Sequence, residues 1–122
     1  MDLLHLFRHA EDVEAFTAGQ TIFHAGDPGT VMYILLQGEV EISLHNKTVE
    51  TITPGEIFGE LSLVDQSPRS ATAIAKTDCL LAPVNQRRFL FMVQETPYFA
   101  IQVMSFMAAR LRRRTDEAVR QN

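Results

Sequence analysis

Between residues 13 and 52 the chain offers five short apolar or β-branched runs, at 13–16, 21–24, 31–37, 39–44 and 48–52, and interrupts them with turns. The interruptions are Ala18-Gly19, Gly26-Asp27-Pro28-Gly29, Gly38, His45-Asn46-Lys47 and Pro54-Gly55. Runs rich in Val, Ile, Thr, Tyr and Phe suit a pleated surface, while Gly, Pro, Asn and Asp supply the backbone angles of turns. The spacing decides the topology. Parallel strands need a crossover of about a dozen residues or more, and these turns leave no room for one. The strands are therefore expected to pair antiparallel in a closed β-roll or jelly roll. In the run 39–44, Val40, Ile42 and Leu44 alternate with Glu39, Glu41 and Ser43, which gives the strand one apolar face.

The pattern changes near residue 85. Two more strands are expected at 71–75 and 79–84, and then Asn85 has the chemistry of an N-cap for a helix over 86–95. Thr96 and Pro97 suit the start of a second helix running to about residue 119. Ile101, Met104, Ala108, Leu111, Thr115 and Ala118, three and four apart, share one side of it. Tyr98, Phe99, Val103, Phe106 and Met107 widen the apolar face in its first half, and its Met and Phe stripe is expected to be core. The second half is more polar. The expected organisation is one domain over 1–122: an N-terminal segment 1–12, a roll 13–85 and C-terminal helices 86–119.

A chain of 122 residues, 46% hydrophobic and 21% charged, can bury a core of its own and is not disordered. It holds no apolar run long enough to span a bilayer. The first residues lack a basic start followed by an apolar stretch, and Cys79 is the single cysteine, so a reducing cytoplasm is the expected location. The net charge of −4 is unevenly spread. Residues 1–86 carry four basic and 12 acidic side chains, whereas residues 87–122 carry seven arginines against Glu95, Asp116 and Glu117. An acidic body with a basic tail points to two structural parts.

The stretch FGELSLVDQSPRSATA, within 57–73, carries the chemistry. Gly59 follows a turn and opens a segment long enough for only one or two helical turns, so the backbone there approaches a ligand freely. Arg69, stiffened by Pro68, presents a planar fork of donors suited to phosphate oxygens. Small Ser70 and Ala71 leave their backbone N–H groups open. Glu60 conflicts with a simple phosphate site, because a carboxylate repels phosphate. The conflict disappears for a ligand that also offers hydroxyls: a cyclic 3′,5′-phosphate keeps a single charge beside a free ribose 2′-OH.

These residues resemble the phosphate-binding cassette of cyclic nucleotide-binding domains of the catabolite activator and protein kinase A regulatory subunit type. The resemblance runs from about residue 13 to 119, and GDPGTVMYILLQGEVEI also looks like that family's turn and paired strands. It implies a mainly β fold with α: an eight-stranded antiparallel β-roll, jelly-roll-like, flanked by a short N-terminal helix and by C-terminal helices that act as lid and dimer seam. Carried over by position, it implies ligand contacts at Phe58, Gly59, Glu60, Leu61, Ser62, Arg69, Ser70 and Ala71, with Glu60 anchoring ribose and Arg69 holding phosphate. Leu111, Arg114 and Thr115 are the implied lid residues. The implied ligand is cyclic AMP, with cyclic GMP open because a hydroxyl after the cassette arginine reaches a guanine amino group. Implied partners are a protein effector and a second copy through the last helix. No helix-turn-helix follows that helix, so no DNA-reading module is expected, and the chain reads as a stand-alone sensor or the sensor part of a longer regulator.

The plainer alternatives are specific too. Glu60 and Arg69 would form an ordinary salt bridge in a ligand-free scaffolding domain of the same fold. Arg110, Arg112, Arg113 and Arg114 suit a solvated helix face near a C-terminus. His5, His9, His24 and His45 lack the clustering of a metal-dependent jelly-roll enzyme, so no metal, cofactor or catalysis is expected. Cys79 between apolar neighbours reads as a buried small side chain.

Overall fold

The computed structural model describes residues 3–7 and 10–120, with side chains to residue 117. The chain divides into two compact units, Met1–Arg87 and Arg88–Asn122. The first holds α1 (Leu3–Phe7), β1 (Glu14–Phe16), β2 (Thr21–Phe23), β3 (Val31–Gln37), β4 (Val40–Leu44), β5 (Lys47–Ile52), β6 (Ile57–Phe58), α2 (Glu60–Asp65), β7 (Thr72–Ala75) and β8 (Cys79–Asn85). These eight strands form two four-stranded antiparallel sheets, ordered β1-β8-β3-β6 and β2-β7-β4-β5. The β-roll and its flanking helices agree with the sequence reading.

Side-chain alternation builds the core between the sheets. Leu35, Phe58, Cys79 and Leu81 from one sheet and Val40, Ile42, Ile52, Ala73 and Ala75 from the other are buried in one cluster. The expected inward face of β4 holds for Val40 and Ile42, whereas Leu44 at the strand end is 39% exposed. There β4 turns into β5 through His45 and Asn46, both at positive φ (54° and 62°), the backbone of a tight two-residue hairpin. Leu3 and Phe7 of α1 are buried, and α1 lies against β3. Pro83 sits inside β8, opposite Tyr33 of β3 and past the last residue that β1 pairs. One ladder neighbour is missing there, which is where a strand tolerates proline.

The second unit is helical. α3 (Gln86–Glu95) begins at the end of the first unit, and α4 (Tyr98–Arg120) follows after Thr96 and Pro97. The Thr96 and Pro97 carbonyls accept from the amides of Phe99 and Ala100 at 2.9 and 3.1 Å, which starts α4. The buried face of α4 differs from the stripe expected. Phe99 and Val103 are buried and the Phe99 ring meets Phe89 at 5.4 Å, while Ile101, Met104, Ala108, Leu111 and Thr115 are exposed. Two apolar faces interleave along this helix, and periodicity alone does not rank them. Ala118, the last of the expected stripe, falls outside the described side chains. No helix among the described residues is long and apolar enough to cross a membrane.

Candidate functional site

The connection from β6 to β7 holds the cassette. Gly59 ends β6 in the left-handed region (φ 76°, ψ 14°), a conformation open to glycine at little cost, and so turns the chain directly into α2. α2 closes at Gln66, also left-handed (φ 58°), whose amide donates to the Ser62 carbonyl at 3.0 Å. The next turn is held by Ser67, whose amide and hydroxyl both donate to Asp65 Oδ1 at 3.0 and 2.6 Å. These bonds hold the Asp65 carboxyl below its ordinary pKa, the hydroxyl bond contributing most.

Arg69 is then stitched to the turn between β2 and β3. Its amide donates to the Asp27 carbonyl at 2.8 Å, and its own carbonyl accepts from the Gly26 amide at 2.7 Å. The Ala25 amide donates to Thr72 Oγ1 at 3.0 Å, and the His24 amide to Asp27 Oδ2 at 3.0 Å. Two segments more than forty residues apart thus become one unit.

The guanidinium of Arg69 is folded into this unit at 6% exposure. Nη1 donates to the Gly59 carbonyl at 3.0 Å and Nη2 to the Val31 carbonyl at 2.8 Å. Cζ stands 4.2 Å from the centroid of the Phe23 ring. A Cβ at Gly29 would fall on Nε and within 2.6 Å of Cζ, so only glycine leaves space for the arginine there. Burial holds the guanidinium pKa below the ordinary arginine value, with Tyr33, Asp27 and Glu60 opposing it. Among the described residues, Nε is a buried side-chain donor with no hydrogen-bond partner. A buried cation with an unmet donor is costly, and an anion offering an acceptor relieves that cost.

The sequence-predicted residues divide by location. Gly59, Glu60 and Arg69 come together, with Glu60 buried at 6% and its charge acting on Arg69. Ser62 is buried on α2, while Leu61 of the same helix is 40% exposed. Ser70 is exposed beside Arg69. Phe58 and Ala71 are in the core cluster. Leu111, Arg114 and Thr115 lie exposed on α4 in the second unit, where Thr115 Oγ1 donates to the Leu111 carbonyl at 2.9 Å. Cys79 is buried, its thiol 3.2 Å from the Glu39 carbonyl and 3.1 Å from that of Thr77.

Sequence reasoning missed Phe23, Gly29 and the Val31 carbonyl. The GDPG turn was visible, but nothing in its spacing pairs it with Arg69. A groove of about 550 Å³ adjoins this site: Gly29, Ser62 and Pro68 line it together with Thr30, Gln66 and Arg87, whereas Glu60 and Arg69 do not. The unmet Arg69 donor lies outside the lining of this groove.

The described residues form an antiparallel β-roll whose β6–β7 connection makes a cradle around buried Arg69, with buried Glu60 acting on it. The pattern of the cyclic nucleotide-binding domain matches residues 13–96, and the chain belongs to that family. It is 32% identical over 102 residues to the cyclic AMP receptor protein of Thermus thermophilus, covering 80% of this chain and 47% of that protein. It is 44% identical over 71 residues to the cAMP-dependent protein kinase regulatory subunit of Eremothecium gossypii, covering 58% of this chain and 16% of that one. The chain thus spans about half the length of the first relative and about a sixth of the second. The crystal structure of the Thermus thermophilus catabolite activator protein superposes with a TM-score of 0.79 at 29% identity, covering 93% of this chain and 61% of that one.

Proposed function

We propose that this chain is a regulatory sensor that binds cyclic AMP in the β6–β7 cradle and performs no chemistry on it. One observation carries the reading: Arg69 is buried with Nε unmet, beside buried Glu60. In this reading Arg69 holds the cyclic phosphate, with Gly59, Leu61, Ser62, Ser70 and Ala71 lining its approach. Glu60 accepts from the ribose 2′-OH, and Phe58 supports the cradle from the core. The two relatives, a cyclic AMP receptor protein and the regulatory subunit of a cAMP-dependent protein kinase, favour adenine. Exposed Ser70 favours cyclic GMP as the second reading, since its hydroxyl is open to a guanine amino group.

The proposal extends to α4. Bound nucleotide favours an ordered cassette and a C-terminal helix whose Leu111, Arg114 and Thr115 cover the base, and a protein effector or a second copy senses that helix. The whole of 1–122 then acts as one sensor domain in the cytoplasm.

Calorimetric titration with cyclic AMP, cyclic GMP and 5′-AMP tests the reading. A ligand of about 22 heavy atoms at about 0.3 kcal/mol each binds near ten micromolar. Saturable one-to-one binding of a cyclic nucleotide, with 5′-AMP much weaker, is expected. No heat up to millimolar ligand, from folded and nucleotide-free protein, would leave a scaffolding domain.

A further inference from the structure

We infer that Phe23 is a positioning residue for the nucleotide phosphate: its ring lies across the Arg69 guanidinium and keeps that cation seated in the cradle. The inference rests on the proposed function and adds to it a residue outside the cassette. Phe23 ends β2, and its ring centroid is 4.2 Å from Arg69 Cζ. The ring is itself held from the core. It stacks on Tyr33 at 6.4 Å and leans on Phe58 at 6.0 Å, and Tyr33 stacks on Phe58 at 5.4 Å. Three strands, β2, β3 and β6, therefore fix the surface on which the guanidinium rests.

The physical need is clear from the donors. Two backbone carbonyls take Nη1 and Nη2, and both are neutral dipoles. A desolvated cation hydrogen-bonded to two dipoles, with Asp27 and Glu60 as favourable charges acting on it, gains further from the negative face of an aromatic ring, and the gain grows as water is excluded. Gly59 confines the group further, since a Cβ there would come within 2.7 Å of Nη1. Fixing a long, flexible side chain before the ligand arrives removes an ordering cost from binding. A leucine at position 23 fills similar space but has no such face.

The test compares Phe23→Leu and Phe23→Tyr in the full chain by two readouts. The first is the NMR signal of the Arg69 Nε–H and δ-methylene without nucleotide, assigned by its disappearance in Arg69→Lys. The second is calorimetric titration with cyclic AMP. Wild type and Phe23→Tyr should show ring-shifted Arg69 signals; Phe23→Leu should lose the shift and bind cyclic AMP about tenfold more weakly, about 1.4 kcal/mol. Phe23→Tyr should stay within about twofold of wild type, because it keeps the ring. Phe23→Met repeats the test if the leucine variant does not fold. A folded leucine or methionine variant with wild-type affinity overturns the inference, whether or not the shift persists. A wild-type chain that binds no cyclic nucleotide removes the proposed function instead, and the Arg69 signal then decides alone whether Phe23 sets the guanidinium.

Discussion

Gly59 and Arg69 are joined twice over: Nη1 of Arg69 donates to the Gly59 carbonyl at 3.0 Å, and the same nitrogen occupies the space a side chain at 59 would need. A β-carbon there would also meet a left-handed backbone, at φ 76°. Gly59→Ala should therefore cost about 1–2 kcal/mol of stability from the backbone and displace Arg69 as well. Urea unfolding and nucleotide titration of this variant check it. Alanine tolerated at full stability and affinity would show that the close approach constrains nothing.

Arg69→Ala should weaken cyclic AMP binding by about a hundredfold or more, since charged hydrogen bonds to the phosphate are lost with it. Affinity within about threefold of wild type would remove arginine from the phosphate site.

Glu60→Gln should weaken cyclic AMP more than its 2′-deoxy analogue, because glutamine is the poorer acceptor for a ribose hydroxyl. The deoxy ligand has no such hydroxyl to lose. Equal losses for both ligands in parallel titrations would argue against a ribose anchor.

Tyr33 gives a pH prediction. Burial, aided by the Glu14 charge and opposed by Arg69, raises its phenol above the ordinary 10.0. A raised pKa means that folding favours the neutral phenol, so this contribution is complete below pH 10 and is lost as pH climbs through the folded value. The chain should lose stability in that alkaline window. Tyr33→Phe should flatten this part of the curve, measured as urea midpoints above pH 9, about one unit below the ordinary value. An unchanged alkaline slope in the variant would assign the loss to other groups.

Much of the roll could be read from the chain because its strands alternate and its turns use the residues that turns require. β3 at Val31–Gln37 and α3 at Gln86–Glu95 fall where the pattern puts them. β6 does not announce itself: two residues carry no period, and Ile57 and Phe58 become a strand only through Ile34 and Tyr33 opposite. The cassette was legible as a string of residue types, since Gly59, Glu60 and Arg69 sit within one short segment. Their surroundings were not. Phe23 and Gly29 reach Arg69 through tertiary closure, and neither lies within a turn or two of it in the chain. On α4, periodicity marked apolar positions but not which of them, Phe99 and Val103 or Ile101 and Met104, would be covered.

The sheet orders β1-β8-β3-β6 and β2-β7-β4-β5 have a consequence for a chain emerging from the ribosome. β1 waits for β8 and β2 waits for β7, so the first two strands made are paired by the last two. At about 5–20 residues per second the nascent chain spends several seconds with unpaired strand edges facing its neighbours. During that time Phe23 and Arg69 have no shared surface on which to meet. The cradle is thus synthesised in pieces and assembled late, and crowding or heat during translation threatens it before either threatens the finished fold.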